Sequence, residues 1–227
     1  MNKRVLLLTG YTDDIRPDGC TDAYMQEVFD LTLPSKNKYV KYNNYDLMSL
    51  RSFGKDPRNV FSDKHIGQLR FIRAMEMLIS YDAVMWIDAD SLITNYSYRL
   101  EDFMDDNTTF VASYDWMWKE SFSTGNFIVQ KTNNTDNLLE LFYRIGPSFS
   151  SEQETLNIID KNFSIGTKSL EHKYLGSTPS KQQYAQGWET RSEPVGVWNS
   201  ESFLLHITGV GNARRIDILN THFKNFL

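Results

Sequence analysis

The stretch YDAVMWIDADSLIT, residues 81–94, constrains the fold of this chain more than any other. Five apolar residues, Ala83 to Ile87, lead directly into the carboxylates of Asp88 and Asp90, which are spaced one residue apart. A continuous apolar run of this length predicts a strand that is buried on both faces, as in the centre of a parallel sheet. Because side chains at i and i+2 of an extended segment project to the same side, the two carboxylates face one point in space.

Strand and helix patterns alternate along roughly the first 160 residues, with no repeat and no linker between them. RVLLLTG predicts a short buried strand that ends at Gly10, and KYVKY, residues 38–42, predicts another. Ser62 is predicted to cap the helix that precedes the strand of the opening motif. The alternation predicts an α/β fold: one domain, residues 1–227, with a mainly parallel central sheet flanked by helices and ligands at the carboxyl ends of its strands.

Composition excludes several classes of protein. Cys20 is the only cysteine, so an intramolecular disulfide and a cysteine-based zinc site are excluded. The net charge is -5 and no basic run stands out, so nucleic acid is not an expected partner. No stretch approaches the roughly 20 apolar residues of a membrane span, and the start of the chain lacks the pattern of a signal peptide. We therefore expect a soluble, cytoplasmic protein.

The two carboxylates of the opening motif predict a metal site. Like charges at one strand end repel each other unless a cation lies between them. Mg²⁺ and Mn²⁺ take carboxylate oxygens and often complete their coordination with phosphate. The same pair is equally compatible with an ordinary turn. LLHITGVGNARR adds His206 at a later strand end, before Gly209, Gly211 and two arginines. A strand histidine is more often structural, but this context suits an imidazole ligand beside a phosphate-binding loop.

Two further motifs carry polar groups that suit a sugar. FSTGNFIVQ places hydroxyl and amide side chains around Gly125, just before a predicted strand, where glycine permits a close backbone approach. SSEQETL places Glu152 and Gln153 in the first turn of a helix, where they can face a cleft. Helix capping by Ser151 and Glu154 accounts for part of this second motif without any ligand.

The order WIDADSLIT, STGNFIVQ, SEQETL and LLHITGVG resembles the Asp-x-Asp glycosyltransferases of the GT-A fold. It is most similar to the retaining galactosyl-, xylosyl- and mannosyltransferase family of fungi and plants. The resemblance covers residues 62–211, and the chain is the size of a small soluble bacterial or viral member. It departs from the family at Ser123, where asparagine is common.

The resemblance implies metal-dependent transfer of a sugar from a nucleotide-diphosphate sugar, with UDP favoured, to a glycan or other hydroxyl acceptor. Mn²⁺ or Mg²⁺ would be the cofactor. By this resemblance, the metal is held by Asp88, Asp90 and His206, and Asp88 also contacts the donor. The base and ribose of the donor are bordered by Thr9, Gly10 and Tyr11, and its phosphates are reached by Lys64. The donor-sugar pocket is lined by Gly125 and Asn126, and the anomeric carbon lies near Glu152 and Gln153.

The choice of catalytic residue depends on whether the transfer retains or inverts the configuration at the anomeric carbon. Retention, which the resemblance favours, suits Gln153 as a polar group below the sugar. Inversion requires a carboxylate base near the acceptor hydroxyl, for which Asp115 and Glu152 are the candidates. Charge stabilisation of the leaving group is expected from Lys64, Arg214 or Arg215.

Two other functions fit parts of the sequence. VMWIDADSLIT also matches the haloacid-dehalogenase phosphatases, in which Asp88 would be the nucleophile and Asp90 the acid and base. That class has its motif near the N-terminus and a later strand ending in paired acids, which this sequence lacks. A non-catalytic nucleotide-sugar binding protein is the third reading, and it differs from an enzyme in releasing no product.

Overall fold

The computed structural model describes residues 3–11, 23–62, 65–115, 121–180, 183 and 196–227. Its centre is a sheet of six strands. These are β1 (Val5–Gly10), β2 (Asp46–Leu50), β3 (Ala83–Asp88), β5 (Phe110–Tyr114), β6 (Phe122–Gln130) and β7 (Thr167–Leu170). Two short strands, β4 (Ser91–Ile93) and β8 (Leu204–His206), form a separate antiparallel pair.

The order of strands across the central sheet is β2-β1-β3-β6-β5-β7. Strand β1 pairs in parallel with β2 and β3, and β5 pairs in parallel with β7. Only β6 runs antiparallel to its neighbours, β3 and β5. The prediction of a mainly parallel α/β sheet is therefore confirmed. Because β6 is reversed, its first residues lie at the edge where β3 ends, with Asn126 opposite Ile87.

The helices cover both faces of the sheet. They are α1 (Ala23–Asn43), α2 (Ile66–Met77), α3 (Thr135–Ile145), α4 (Glu152–Asn162), α5 (His172–Leu175) and α6 (Asn212–His222). Side chains of α2, α3 and α4 pack into one hydrophobic core, and α1 and α5 contribute to a second core. None of the helices in the described part of the chain is both long enough and apolar enough to cross a membrane.

The apolar run before Asp88 is buried on both faces, as its composition predicts. Val84 and Trp86 pack into the core that α2, α3 and α4 cover. Met85 and Ile87 pack into the core on the other face. A strand covered in this way is held rigidly, so the carboxylate at its end has a fixed position.

Two local predictions are wrong. KYVKY lies inside α1 and not in a strand, and the strand in this region is β2. Three buried polar residues, Thr32, Ser35 and Lys36, interrupt the apolar stripe of α1, so its helical period is hidden in the sequence. Helix α2 begins at Ile66, and the Ser62 hydroxyl lies 2.9 Å from His65 Nδ1, so Ser62 does not cap the helix.

Candidate functional site

The carboxylates of the opening motif meet a histidine at the edge of the sheet. Asp88 ends β3, Asp90 follows in the turn to β4, and His206 ends β8, which pairs with β4. His206 Nε2 lies 3.6 Å from Asp88 Oδ2 and 3.3 Å from Asp90 Oδ1. One ligand atom from each of the three lies within 4.8 Å of the others. The cluster could therefore hold a metal ion.

Each carboxylate of the cluster also has its own arginine. Arg70 Nη1 lies 2.5 Å from Asp88 Oδ1, and Arg215 Nε lies 2.9 Å from Asp90 Oδ2. Trp86 Nε1 donates a further hydrogen bond of 2.7 Å to Asp88 Oδ1. Each carboxylate is therefore paired with a guanidinium group, and both arginines line the same cavity.

The mutual charges shift the pKa values of the cluster in opposite directions. Burial raises the pKa of Asp88, and Arg70 and His206 offset that rise only in part. Burial also acts to raise the pKa of Asp90, but His206 and Arg215 outweigh it and hold the pKa below its usual range. Burial acts to lower the pKa of His206, but Asp90 and Asp88 outweigh it and raise the pKa.

A buried lysine lies beneath the turn that carries the cluster. Lys36 Nζ donates to the main-chain oxygens of Asp88 and Ala89, at 3.1 and 3.4 Å. Thr32, one turn earlier on α1, donates through Oγ1 to the same oxygen of Ala89 at 2.6 Å. Burial lowers the pKa of Lys36 to about 7, although Asp90 and Asp88 act to raise it. Helix α1 thus fixes the main chain between the two carboxylates.

The glycine of the second motif leaves room for the cluster. A Cβ atom on Gly125 would lie 2.3 Å from Cε1 of His206 and 3.1 Å from Oδ2 of Asp88. The next residue, Asn126, is buried and supports the cluster from within the sheet. Its Oδ1 accepts from the Asp88 main-chain N–H at 3.2 Å, and its Nδ2 donates to the Leu175 carbonyl at 3.1 Å.

Glu152 and Gln153 have different partners. Glu152 is buried, and its Oε1 accepts from Thr124 Oγ1 at 2.8 Å and from Arg70 Nη2. Gln153 Nε2 donates to Asp115 Oδ2 at 2.8 Å, and its Oε1 accepts from the Thr124 main-chain N–H at 3.3 Å. Arg70 therefore connects Glu152 to the metal cluster, whereas Gln153 is oriented by Asp115 and the start of β6.

Two cavities meet at His206 and Thr208, which line both of them. The first cavity has a volume of about 210 Å³ and contains the two arginines that bind the carboxylates. The second cavity has a volume of about 120 Å³ and contains Asp115 and Gln153. The candidate metal site therefore lies at the boundary between a cavity lined by both carboxylates and their arginines and a cavity whose described lining includes no lysine or arginine.

Only some of the other residues predicted to bind the sugar donor line a cavity. Gly10 and Tyr11 line the first cavity. Thr9 is buried in the sheet, where its hydroxyl donates to the Ile87 carbonyl at 2.7 Å, and it lines neither cavity. Gly209 follows Thr208 with a φ of 77°, and it also lines neither cavity. Lys64 lies outside the described residues, so its predicted role stays a prediction.

Two residues of the site had no part in the sequence prediction, Arg70 and Lys36. The sequence carries a weak signal for Arg70, because it follows Ile66 by four residues and the two side chains therefore share a face of a helix. In the structure both residues line the first cavity. Lys36 has no comparable signal, because a lysine in an amphipathic helix ordinarily faces solvent. Its burial becomes visible only when α1 is packed against the turn after β3.

Solved glycosyltransferase structures share this fold. A glycosyltransferase involved in glycosylation of the major capsid of PBCV-1 has a TM-score of 0.61 and 14% identity, over 96% of this chain and 98% of that one. The galactosyltransferase LgtC, solved with donor and acceptor sugar analogues, has a TM-score of 0.52 and 11% identity, over 98% and 100%. Mouse xyloside xylosyltransferase 1 has a TM-score of 0.53 and 9% identity, over 89% and 97%. The fold is therefore that of the GT-A glycosyltransferases.

Sequence comparison gives a family but no curated relative. The sequence matches none of the curated proteins. The family described as "Protein of unknown function, DUF273" matches residues 37–153. Because that match spans just over half of the 227 residues, this chain belongs to the DUF273 family.

Proposed function

We propose that this chain is a metal-dependent glycosyltransferase that moves a sugar from a nucleotide-diphosphate sugar to a hydroxyl group of a glycan or other acceptor. One observation carries the proposal: Asp88, Asp90 and His206 lie together at the sheet edge, between two cavities of which only the first is lined by arginines among the described residues. The GT-A fold supports the proposal, and so do the glycosyltransferase activities named for the three comparison structures.

The first cavity suits the nucleotide-diphosphate part of a donor. Mn²⁺ or Mg²⁺ held by the cluster would neutralise the diphosphate as it leaves the sugar. Arg70 and Arg215 line this cavity and offer guanidinium groups to phosphate oxygens. Gly10 and Tyr11 line the same cavity and would border the base and ribose. Uridine is the base that the family resemblance favours, and we propose a UDP-sugar on that ground.

The partners of Glu152 and Gln153 support retention of configuration. Glu152 is buried and engaged by Arg70 and Thr124, an arrangement that suits orientation of Arg70 better than abstraction of a proton. Gln153 lines the second cavity, where its amide can lie close to the sugar ring. Asp115 lies beside it and would orient the amide through the hydrogen bond of 2.8 Å.

The phosphatase reading is not favoured by the site. Its nucleophile would be Asp88, but Oδ1 of that residue accepts from both Arg70 and Trp86. Its Oδ2 faces His206 at 3.6 Å. Two donors to Oδ1 make this carboxylate a poorer nucleophile.

The test is nucleotide release from a panel of UDP- and GDP-sugars, with Mn²⁺ and with EDTA. We expect slow hydrolysis of one donor in the wild type, abolished by EDTA and by Asp90→Ala. Asp106→Ala removes an exposed carboxylate and is the matched control, which should leave the rate unchanged.

The outcomes separate the three functions. Metal-dependent release that Asp90→Ala abolishes supports the glycosyltransferase. Metal-dependent nucleotide binding, with no release in the presence of any hydroxyl acceptor tried, supports a binding protein. Hydrolysis of a phosphomonoester such as p-nitrophenyl phosphate, without nucleotide release, supports the phosphatase and overturns the proposal.

A further inference from the structure

Three of the residues that line the second cavity each carry a buried polar atom with no hydrogen-bond partner among the described residues. Ser113 Oγ, His172 Nε2 and Thr178 Oγ1 are shielded from water, and none has a partner among the described residues. All three residues line this one cavity. Buried polar groups in folded proteins are nearly always paired. Seven buried side-chain atoms of the described residues have no partner, and three of them belong to residues around this one space, where a bound molecule or water is best placed to supply partners.

The three groups come from three different elements that the fold brings together. Ser113 lies at an irregularity of β5, where the pairing with β6 changes register. Such irregularities re-aim a side chain and are common beside active sites. His172 begins α5, and Thr178 follows that helix. Gly176 permits the close approach, because a Cβ atom there would lie 2.4 Å from Ser113 Oγ.

The chemistry of these atoms suits hydroxyl groups. Serine and threonine hydroxyls each donate one hydrogen bond and accept others, and rotation about Cα–Cβ can turn the Ser113 hydroxyl toward the cavity. The His172 ring bonds to the main chain of Asp115, and its pKa is lowered by burial, so the ring is neutral. With that bond made through Nδ1, the unpaired Nε2 is an acceptor for a hydroxyl proton.

The residues that line the two cavities suit different parts of a ligand. Arg70 and Arg215 line the first cavity, which suits phosphate. In the described lining of the second cavity no lysine or arginine occurs, and the ionisable residues are Asp115, His172 and the shared His206. Phosphate oxygens would find no guanidinium partner there, whereas a ring that carries several neutral hydroxyls would find donors and acceptors on several sides.

We infer that the second cavity binds the ring of an uncharged sugar, and that Ser113, His172 and Thr178 determine which sugar is accepted. The inference rests on the proposed function in assigning the ring to a donor or an acceptor of the transfer. Sugar binding in the cavity can be measured separately from that transfer.

The experiment uses the double variant Ser113→Ala/Thr178→Val, which removes two of the unpaired hydroxyls with little change in volume. The control is Thr167→Val, because Thr167 Oγ1 on β7 is also shielded and unpaired among the described residues but lies outside both cavities. Any general effect of deleting a buried unpaired hydroxyl on stability will therefore appear in both proteins.

Two readouts are compared on the full chain. The first is saturation-transfer NMR with free glucose, galactose, mannose and xylose. We expect transfer to at least one sugar in the wild type and in Thr167→Val, and loss of that transfer in the double variant. The second is kcat/KM for donor hydrolysis and for transfer to an acceptor, which should fall about tenfold or more in the double variant, as expected for two lost hydrogen bonds. Affinity for UDP alone should stay unchanged.

A loss of hydrolysis assigns the cavity to the donor sugar, and a loss of transfer alone assigns it to the acceptor. The inference is overturned if the double variant keeps the sugar selectivity of the wild type in both readouts. It is also overturned if the affinity for UDP falls as much as kcat/KM does. If the double variant abolishes sugar binding but the wild type releases nucleotide from no donor, the inference that the cavity binds a sugar is supported and the proposed function is overturned. Normal turnover in the double variant supports the proposed function and overturns the inference about the cavity. Neither sugar binding nor turnover in the wild type overturns both.

Discussion

The guanidinium group of Arg70 lies 2.5 Å from the carboxylate of Asp88, at the end of the central strand. Its other terminal nitrogen binds the buried carboxylate of Glu152, at the start of α4. One cation thus joins the candidate metal site to the helix that also carries Gln153. The position of each group depends on the other two, because none of them can leave without exposing an unpaired buried charge.

Replacing Arg70 by methionine is therefore expected to reduce both stability and turnover. Asp88 and Glu152 would remain buried without their cation, which should lower the free energy of unfolding by about 3–5 kcal/mol. The measurement is urea unfolding at neutral pH, with Arg51→Met, an exposed arginine, as the control. Arg70→Met/Glu152→Met should recover part of the stability but no activity. A single variant as stable as the wild type would contradict this account.

A methyl group on Gly125 is expected to disturb the metal site without unfolding the sheet. The Cβ atom of Gly125→Ala would overlap the His206 ring, so the imidazole must move. Affinity for Mn²⁺ should fall about 10–100-fold, as it does when the support of a ligand is altered. Gly211→Ala is the control, because its Cβ would have open space. The measurement is Mn²⁺ titration followed by electron paramagnetic resonance, and equal affinities in the two variants would show that the ring does not bind the ion.

Manganese is expected to stabilise the folded chain. An ion that binds only the native state at a concentration about 100 times its Kd adds about 2.7 kcal/mol to the free energy of unfolding. His206→Gln should remove most of that increase, and His222→Gln, on the exposed side of α6, should retain it. Urea unfolding with Mn²⁺ and with EDTA gives the increment for each protein. An increment that His206→Gln leaves intact would place the ion elsewhere.

Asp56, in the loop before α2, is expected to contribute stability that depends on pH. Burial acts to raise its pKa, but hydrogen bonds from the Phe61 and Val60 N–H groups and the Tyr143 hydroxyl outweigh it, so the pKa lies below 3.8. Because the folded-state pKa is lowered, the contribution is complete above pH 3.8 and is lost as pH falls through the lowered value. Asp56→Asn should cost about 1–3 kcal/mol near pH 7.

The check on Asp56 is the difference in unfolding free energy between wild type and variant, measured from neutral to acidic pH. That difference should shrink toward zero in acid, because protonated aspartic acid and asparagine both lack the charge. Asp160→Asn, an exposed aspartate on α4, should follow the wild type throughout. A difference that is constant with pH would show that the carboxylate charge has no role.

Sequence prediction succeeded where one local pattern determines the structure. The apolar run before Asp88 is buried on both faces, and the polar residues that follow it lie where parallel strands end. His206 also joins the cluster, although more than a hundred residues separate it from the motif. The strand end at Asp88 is recognisable from a few residues. The place of His206 is not set by the parallel sheet: β8 pairs antiparallel with β4, and that pairing puts His206 opposite Ser91, beside the two carboxylates. Its prediction rested on the glycine-rich context and on the family resemblance.

Prediction failed where tertiary packing overrides the local pattern. KYVKY alternates like a strand but belongs to a helix of 21 residues, whose buried face carries Thr32, Ser35 and Lys36. Thr32 and Lys36 are tolerated because they bond to the main chain around Asp88 and Ala89 and to each other. The Ser35 hydroxyl accepts a hydrogen bond from the main-chain N–H of Ile93. The reason for their burial lies in another part of the chain, so a helix-by-helix reading does not detect it.

The reversed direction of β6 has a consequence for how relatives of this chain can differ in substrate. Strand β5 ends and β6 begins at the same edge of the sheet, so the connection between them leaves and re-enters beside the second cavity, which Tyr114 and Ser123 line. Insertions there can change what the cavity admits while every strand keeps its pairing. The connection from β6 to α3 leaves at the opposite edge of the sheet. A change in the length of the first connection would therefore reach the second cavity and leave the strand end that carries Asp88 in place.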